Sequence, residues 1–327
     1  MPTNVPPQYR EVEARFRAAE STEEKIALLE EMIRILPKHK GTDRLHGDLK
    51  AKLAKLRKEP GKKSGASGPS HLIPREGAGQ VALVGPPNGG KSSLVAVLTH
   101  ATPRIAEYPF TTREPVPGMM AHEDVGIQLL DLPPLSREHV EPWVFDCIRR
   151  ADLVWLVADD ASALDGVSLC LELCAPKHLG LEPPGSPARE DAPPGWMAKK
   201  TLLVATGRDR PGSAENAAIL RELLEVPWPL FHVSAVTGEG LDALRAGTFE
   251  ALDVVRVYTK EPGKPPDRER PFTLDRGATV EKLAEAIHKD LLRTFKFARI
   301  WGSGAFDGQE VQRDHVLRDG DVVELHA

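Results

Sequence analysis

Apolar and polar residues recur along this chain with two different periods, and the change from one to the other divides it. Tyr9, Val12 and Phe16 fall at helical spacing. Ile26, Leu29, Met32, Ile33 and Leu36 continue that spacing after Ser21 and Glu24, which fit a capping box. Pro37 and Gly41 interrupt the pattern, and Leu45, Leu49, Leu53 and Leu56 resume it as one stripe. Residues 1–58 therefore read as helical, with an antiparallel hairpin as the simplest arrangement. Residues 59–70 are rich in Gly, Pro, Ser and Lys and read as a linker. Beyond them come short, largely apolar runs at 81–84, 127–130, 153–158, 202–205 and 230–233. Such runs, alternating with segments that can be helical, predict an α/β fold over 71–260. Its sheet is mostly parallel, buried on both faces, and open to ligands at the carboxyl ends of its strands.

A second Pro- and Gly-rich stretch at 261–267 reads as another linker. Residues 268–327 then read as strands around one helix, the outline of a small β-grasp domain. The first strand is 270–274. Thr279 is expected to cap a helix whose apolar stripe is Val280, Leu283, Ile287 and Leu291. Further strands are expected at 297–302 and 321–325, with Asp-Gly turns at 307–308 and 319–320.

Composition narrows the partners. The chain has 327 residues, 41% hydrophobic and 28% charged, enough to bury a full core. Its net charge of −5 argues against wholesale coating of nucleic acid, so DNA specificity is not expected and any basic surface is local. One such surface stands out: residues 37–63 hold ten Lys and Arg against three Asp and Glu. It reads either as a solvated helix face or as a phosphate-binding face for RNA. No aromatic residue interleaves with these lysines, so base stacking is not expected there. Cys147, Cys170 and Cys174 make no disulfide framework, which suits a reducing cytosol. Cys170, Cys174 and His178 share a helical face but lack a fourth ligand, so buried or surface thiols describe them better than a metal site. The N-terminus has no apolar signal core and no run is long enough to cross a bilayer, which predicts a cytoplasmic protein without a membrane partner.

The densest chemistry lies at Gly85-Pro86-Pro87-Asn88-Gly89-Gly90-Lys91-Ser92, between a buried strand and an amphipathic helix. This is the order a P-loop requires. Glycines let backbone N–H groups approach phosphate oxygens, and the helix N-terminus adds partial positive charge. Gly85, Asn88, Gly89, Gly90, Lys91, Ser92 and Ser93 are the expected phosphate-binding set. Lys91 would reach the β- and γ-phosphates, and the Ser92 hydroxyl would ligate Mg²⁺. A second hydroxyl ligand is expected from Thr112 on the loop after the helix, with Thr111 as the alternative. Asp131, closing the 127–130 run, is expected to face the loop and hold the ion through water. Lys91, Thr112 and Asp131 are thus the residues expected to serve hydrolysis. At two later strand ends, Thr206-Gly207-Arg208-Asp209 and Ser234-Ala235 suit base recognition. Asp209 can accept from N1 and N2 of guanine, and Ser234-Ala235 can present a backbone N–H to O6.

Taken in this order, the P-loop, Tyr108-Pro109-Phe110-Thr111-Thr112, Asp131-Leu132-Pro133, the Thr206–Asp209 segment and Ser234-Ala235 resemble the translation-factor class of GTPases. Within it, the chain resembles the Obg and DRG (developmentally regulated GTP-binding protein) family. The 38–57 segment is similar to the DRG N-terminal region, and residues 268–327 are similar to the TGS domain. The resemblance implies a P-loop GTPase domain binding GTP and GDP, slow Mg²⁺-dependent hydrolysis, and association with ribosomes or RNA. It also makes Lys296, Arg299, Trp301 and His315 candidate contacts, although Trp301 and His315 equally suit a small core. The chain departs from the family pattern twice. Pro134 stands where a glycine N–H would sense the γ-phosphate, and Gly207 replaces the lysine of the base motif. Leu135 stands where a glutamine would orient water, a hydrophobic substitution that the family shares. Two alternatives follow: a nucleotide-binding scaffold with impaired switching and hydrolysis, or an ATP-binding relative.

Overall fold

The computed structural model describes residues 7–18, 22–37, 46–50, 52–53, 73–99, 115–224, 226–288, 291–304 and 306–326. The chain divides into two compact units, Met1–Ser70 and His71–Ala327. In the first, α1 (Pro7–Ala18) packs on α2 (Thr22–Ile35). Tyr9, Val12, Leu28, Leu29, Met32 and Leu36 are buried together, and Leu49 from the helical residues 46–50 joins them. The His46 ring bonds the Leu36 carbonyl at 3.0 Å, satisfying an acceptor past the end of α2. Lys50 and Lys52 are exposed. Ser21 of the expected capping box and most of the basic 37–63 stretch lie outside the described residues.

The second unit holds two sheets. The larger, among the described residues, has seven strands in the order β2-β3-β1-β4-β6-β5, with β7 also paired to β6. Its strands are β1 (Gln80–Val84), β2 (Val116–His122), β3 (Val125–Asp131), β4 (Leu153–Asp159), β5 (Leu179–Glu182), β6 (Met197–Thr206) and β7 (Leu230–Val233). Only β2 runs antiparallel to its neighbour. Helices α3 (Lys91–Thr99), α4 (Pro142–Arg150), α5 (Ala163–Cys174) and α6 (Ser213–Leu223) lie between them in sequence, and α7 (Leu241–Leu252) follows β7.

The period-two pleat sorts each apolar run onto two faces. Val81 and Leu83 of β1, Leu153, Trp155 and Val157 of β4, and Leu202 and Val204 of β6 pack with Leu94, Leu98 and Leu244 from α3 and α7. Ala82, Val84, Val154, Leu156, Leu203 and Ala205 point the other way, against Val144, Ile148, Val167 and Cys170 from α4 and α5. A strand covered on both faces needs every residue apolar, which is why these runs are continuous. Trp155 is fully buried, and its indole N–H donates to Thr248 Oγ1 of α7 at 3.1 Å.

The smaller sheet has the order β11-β10-β12-β8-β9: β8 (Val254–Thr259), β9 (Asp267–Asp275), β10 (Phe297–Trp301), β11 (Gln309–Val311) and β12 (Asp321–His326). Helices α8 (Val280–Ile287) and α9 (Leu291–Thr294) lie between β9 and β10, and Val280 and Leu283 share a core with Val255, Val257, Ala298, Ile300 and Val323. Two particulars differ from the sequence reading. The sheet recruits β8, upstream of the start expected at residue 268, so the Pro- and Gly-rich residues 261–266 join two adjacent strands of one sheet. The Lys260 N–H donates to the Val323 carbonyl at 3.0 Å, tying that connection to the sheet. Thr279 does stand at the N-cap of α8, but its side chain makes no capping hydrogen bond.

Candidate functional site

The loop between β1 and α3 starts where Gly85 touches β4. A Cβ on Gly85 would lie 1.9 Å from the Val157 carbonyl oxygen, so no other residue permits this approach. Asn88 has a positive φ of 60°, a conformation asparagine tolerates, and Leu94 N–H donates to the Gly90 carbonyl at 3.0 Å as α3 begins. Lys91, at the first position of α3, is buried at 6% exposure, while Ser92 and Ser93 are exposed. Its ammonium donates to the carbonyls of Gly85 at 3.1 Å and Pro86 at 2.9 Å. Burial lowers the Lys91 pKa to about 8, against the pull of the Asp131 charge.

Asp131 ends β3 beside this loop. Ser92 Oγ donates to Asp131 Oδ2 at 2.6 Å. Burial raises the Asp131 pKa, partly offset by that hydrogen bond and by the Lys91 charge. A hydroxyl and a carboxylate in contact are hard oxygen donors, the kind a small divalent cation takes. Thr111 and Thr112 lie outside the described residues.

The carboxyl ends of β6 and β7 close the site's other side. Thr206 Oγ1 donates to the Gly89 carbonyl at 3.1 Å, joining the end of β6 to the phosphate loop. Asp209 follows on an exposed turn, and Ser234 Oγ donates to its Oδ1 at 2.6 Å. That hydrogen bond holds the Asp209 carboxyl below the ordinary range. Ser234 is itself fixed, since its Oγ accepts from Val236 N–H at 3.1 Å and Thr237 N–H at 3.0 Å. Lys91, Asp131, Thr206, Asp209 and Ser234 thus converge on the carboxyl ends of adjoining strands, and Ala235 packs against the core beneath. A glycine-rich loop at one end and a carboxylate held by a hydroxyl at the other give the outline of a ligand site at the carboxyl ends of the strands.

Comparison with known proteins decides the lineage. Residues 80–177 match the family described as 50S ribosome-binding GTPase, and residues 255–327 match the TGS domain. The chain is 31% identical over 360 aligned residues to developmentally-regulated G-protein 3 of Arabidopsis thaliana, covering 92% of this chain and 98% of that one. It is 30% identical over 360 residues to an uncharacterized GTP-binding protein of Methanocaldococcus jannaschii, covering 93% and 92%. The chain belongs to the developmentally regulated GTP-binding protein family. As a member it is a GTP-binding protein of the GTPase class, and GTP and GDP are its nucleotides. The YchF GTPase of Schizosaccharomyces pombe, 13% identical over 78% of this chain and 100% of its own, has the same fold at a TM-score of 0.53.

Against the DRG pattern, the structure adds residues that the motifs did not flag. The Leu135 side chain is fully buried, and its N–H donates to the Gly85 carbonyl at 3.0 Å. Pro134 has no N–H to give and the next one is already spent on the phosphate loop. At the carboxyl end of β6, Arg210 pairs with Asp159 at 2.6 Å and lies over Gly207. Asp160 is buried beside them, with Oδ2 3.4 Å from His232 Nε2. Asp159 closes an apolar strand, the same position that made Asp131 visible, and Asp160 follows it, but no motif includes them. In the TGS domain, Lys260 Nζ sits 4.4 Å from the Trp301 ring centroid, and Arg299 pairs with Glu310 at 3.3 Å. Trp301 stays outside the small core, and His315 Nε2 lies 3.5 Å from Ser303 Oγ. Cys170 and Cys174 are buried, with pKa values pushed up to about 12 by desolvation. Among the described residues no group of three or more His, Cys, Asp or Glu could hold a metal. Among them also, no helix is long and apolar enough to cross a membrane.

Proposed function

We propose that this chain is a slow, Mg²⁺-dependent GTPase that works on the ribosome or another structured RNA. The observation that carries the reading is the convergence of the Ser92–Asp131 pair, the phosphate loop and the Asp209–Ser234 pair on adjoining strand ends. In it, Gly85, Asn88, Gly89, Gly90, Lys91, Ser92 and Ser93 hold the phosphates. Thr206, Asp209, Ser234 and Ala235 frame the guanine. Ser92, Asp131 and Thr112 hold Mg²⁺, which supplies charge neutralisation on the phosphates. Lys91 offers a positive charge in a buried place, where it attracts a phosphoryl oxygen more strongly than in water. Leu135 brings no polar group to orient an attacking water, so turnover is slow. The description of the matching family and the basic stretch at 37–63 support the ribosome or RNA as partner. The cytoplasm is the compartment that partner implies.

Calorimetric titration with GTP, GDP and ATP, with and without Mg²⁺, tests the nucleotide part. We expect GTP and GDP to bind, ATP to bind at least a hundredfold more weakly, and Lys91→Ala to abolish binding. Equal affinity for ATP and GTP contradicts the reading and favours an ATP-binding relative. Co-sedimentation with large ribosomal subunits tests the partner, and a chain that stays in the supernatant at low salt contradicts it.

A second reading, a scaffold that holds nucleotide without switching, is favoured by one observation. The Leu135 N–H, next to Pro134, is engaged by Gly85, so this segment has little left with which to sense a γ-phosphate. Under it, GTP and GDP bind within a few-fold of each other and support the same partner binding. A GTP-to-GDP preference above tenfold rules it out.

A further inference from the structure

We infer that Arg210 supplies the planar cation against which the guanine base stacks, the part that a side chain at position 207 cannot play here. The inference rests on the nucleotide reading above and adds a binding residue to it. A purine held between the phosphate loop and Asp209 must pass along the 206–209 turn, because Thr206 touches Gly89 at one end and Asp209 stands at the other. Gly207, midway, has a φ of +97° and no side chain with which to cover a base face.

The space above it is already filled. A Cβ built on Gly207 would lie 3.0 Å from Arg210 Cζ and 3.1 Å from Arg210 Nε, so the guanidinium lies directly over the glycine. It would also lie 3.0 Å from Asp160 Oδ1, a buried oxygen without a hydrogen-bond partner among the described residues. Any longer residue at 207 must displace both.

Two contacts set the arginine. Its backbone N–H donates to the Gly207 carbonyl at 2.9 Å, and its guanidinium pairs with Asp159 Oδ2 at 2.6 Å. Asp159 is held in turn, because its Oδ1 accepts from Ala161 N–H at 3.2 Å. The arginine side chain remains 51% exposed, which leaves a face of the group open. A guanidinium is flat, permanently charged and weakly hydrated, so it stacks on π faces where an ammonium cannot. It covers the face of the base while Asp209 reads the edge.

Face and edge can be separated by ligand choice. Inosine triphosphate keeps the purine face but lacks the 2-amino group that Asp209 would bind. We expect Arg210→Ala to weaken GTP and inosine triphosphate by the same factor, about tenfold, at the low end of what stacking one base contributes. Asp209→Ala should weaken GTP far more than inosine triphosphate. Asp159→Asn, which frees the guanidinium without removing it, should lose less than Arg210→Ala.

Arg210→Ala with wild-type affinity for both nucleotides, alongside a damaged Asp209→Ala, overturns the inference and leaves the nucleotide reading intact. An altered ratio of GTP to inosine triphosphate in Arg210→Ala also overturns it, since the arginine would then act only by placing Asp209. No GTP binding by the wild-type chain overturns both.

Discussion

Lys91 has the most perturbed chemistry in the site. Its ammonium is boxed in by Gly85 and Pro86 carbonyls, and burial brings its pKa down to about 8 from 10.5. A polyphosphate brought against it favours the charged form and raises that value again. Between the two values the bound protein holds a proton that the free protein has released, so binding takes up protons and affinity falls as pH rises through 8. Calorimetry at about pH 8 in buffers of different ionisation heat should report uptake of a fraction of one proton per GTP. Release, or no exchange, contradicts this account of Lys91. Ser234 makes a second prediction at this scale. Removing its hydroxyl takes the 2.6 Å donor from Asp209 and the acceptor from two backbone N–H groups. Ser234→Ala should weaken GTP by roughly tenfold while leaving the far-ultraviolet circular dichroism unchanged. Undiminished GTP affinity would show that Asp209 needs no such support.

Elements differ in how plainly the chain announces them. β1, β4 and β6 each lie between two helical layers, so both faces must be apolar and the runs 81–84, 153–158 and 202–205 stand out. β2 carries Pro117 and Gly118 and is mostly exposed, since an edge strand has fewer contacts to satisfy; nothing in its composition says strand. β8 buries Val254, Val255 and Val257, but no strand was expected there, because the Pro-Gly stretch after it looks like a boundary. Composition marks where the backbone turns, and a turn between neighbouring strands has the same residues as a linker between domains. The phosphate loop was legible because its chemistry is local in sequence. The Arg210–Asp159 pair was not, because its partners are 51 positions apart and belong to no repeated pattern. The layers themselves can be tested through Trp155, whose buried indole N–H depends on Thr248 in α7. Thr248→Val keeps the shape and strands that donor, at a cost of about 1–3 kcal/mol. Urea unfolding should show a lower midpoint with an unchanged slope, and an unchanged midpoint contradicts the pairing.

At the scale of the whole second unit, one arginine ties the two sheets together. Arg256 of β8 reaches Glu123 and Asp124 in the β2–β3 turn, and forks onto Asp319 at 3.0 and 2.7 Å. Tyr258 donates to Asp124 beside it, and Phe249 of α7 lies 5.1 Å under the guanidinium. The β2–β3 turn belongs to the ribbon that ends at Asp131, so the TGS domain grips the nucleotide domain through an element of its site. Arg256→Ala leaves three carboxylates facing one another. We expect a loss of about 2 kcal/mol, below the value for a fully buried pair because Glu123 and Asp319 keep contact with solvent. In a unit of this size that is a fall of about 4–8 °C in melting temperature. The acid limb should change as well. Hydrogen bonding to Arg256 depresses the Asp319 pKa, so its stabilisation is present above the unfolded value of 3.8 and is lost as pH falls below it. The variant should therefore lose less stability than the wild type on acidification below about pH 4, and parallel acid limbs contradict the network.

The central claim is that Asp209 reads the donor edge of a guanine whose phosphates lie on the loop at Lys91. Binding of GTP and xanthosine triphosphate to the wild-type chain and to Asp209→Asn tests it most directly. Xanthine offers one donor and one acceptor where guanine offers two donors, and an amide, unlike a carboxylate, matches that pattern. The wild-type chain should prefer GTP, and Asp209→Asn should reverse the preference. A variant that keeps the wild-type preference for GTP contradicts the claim.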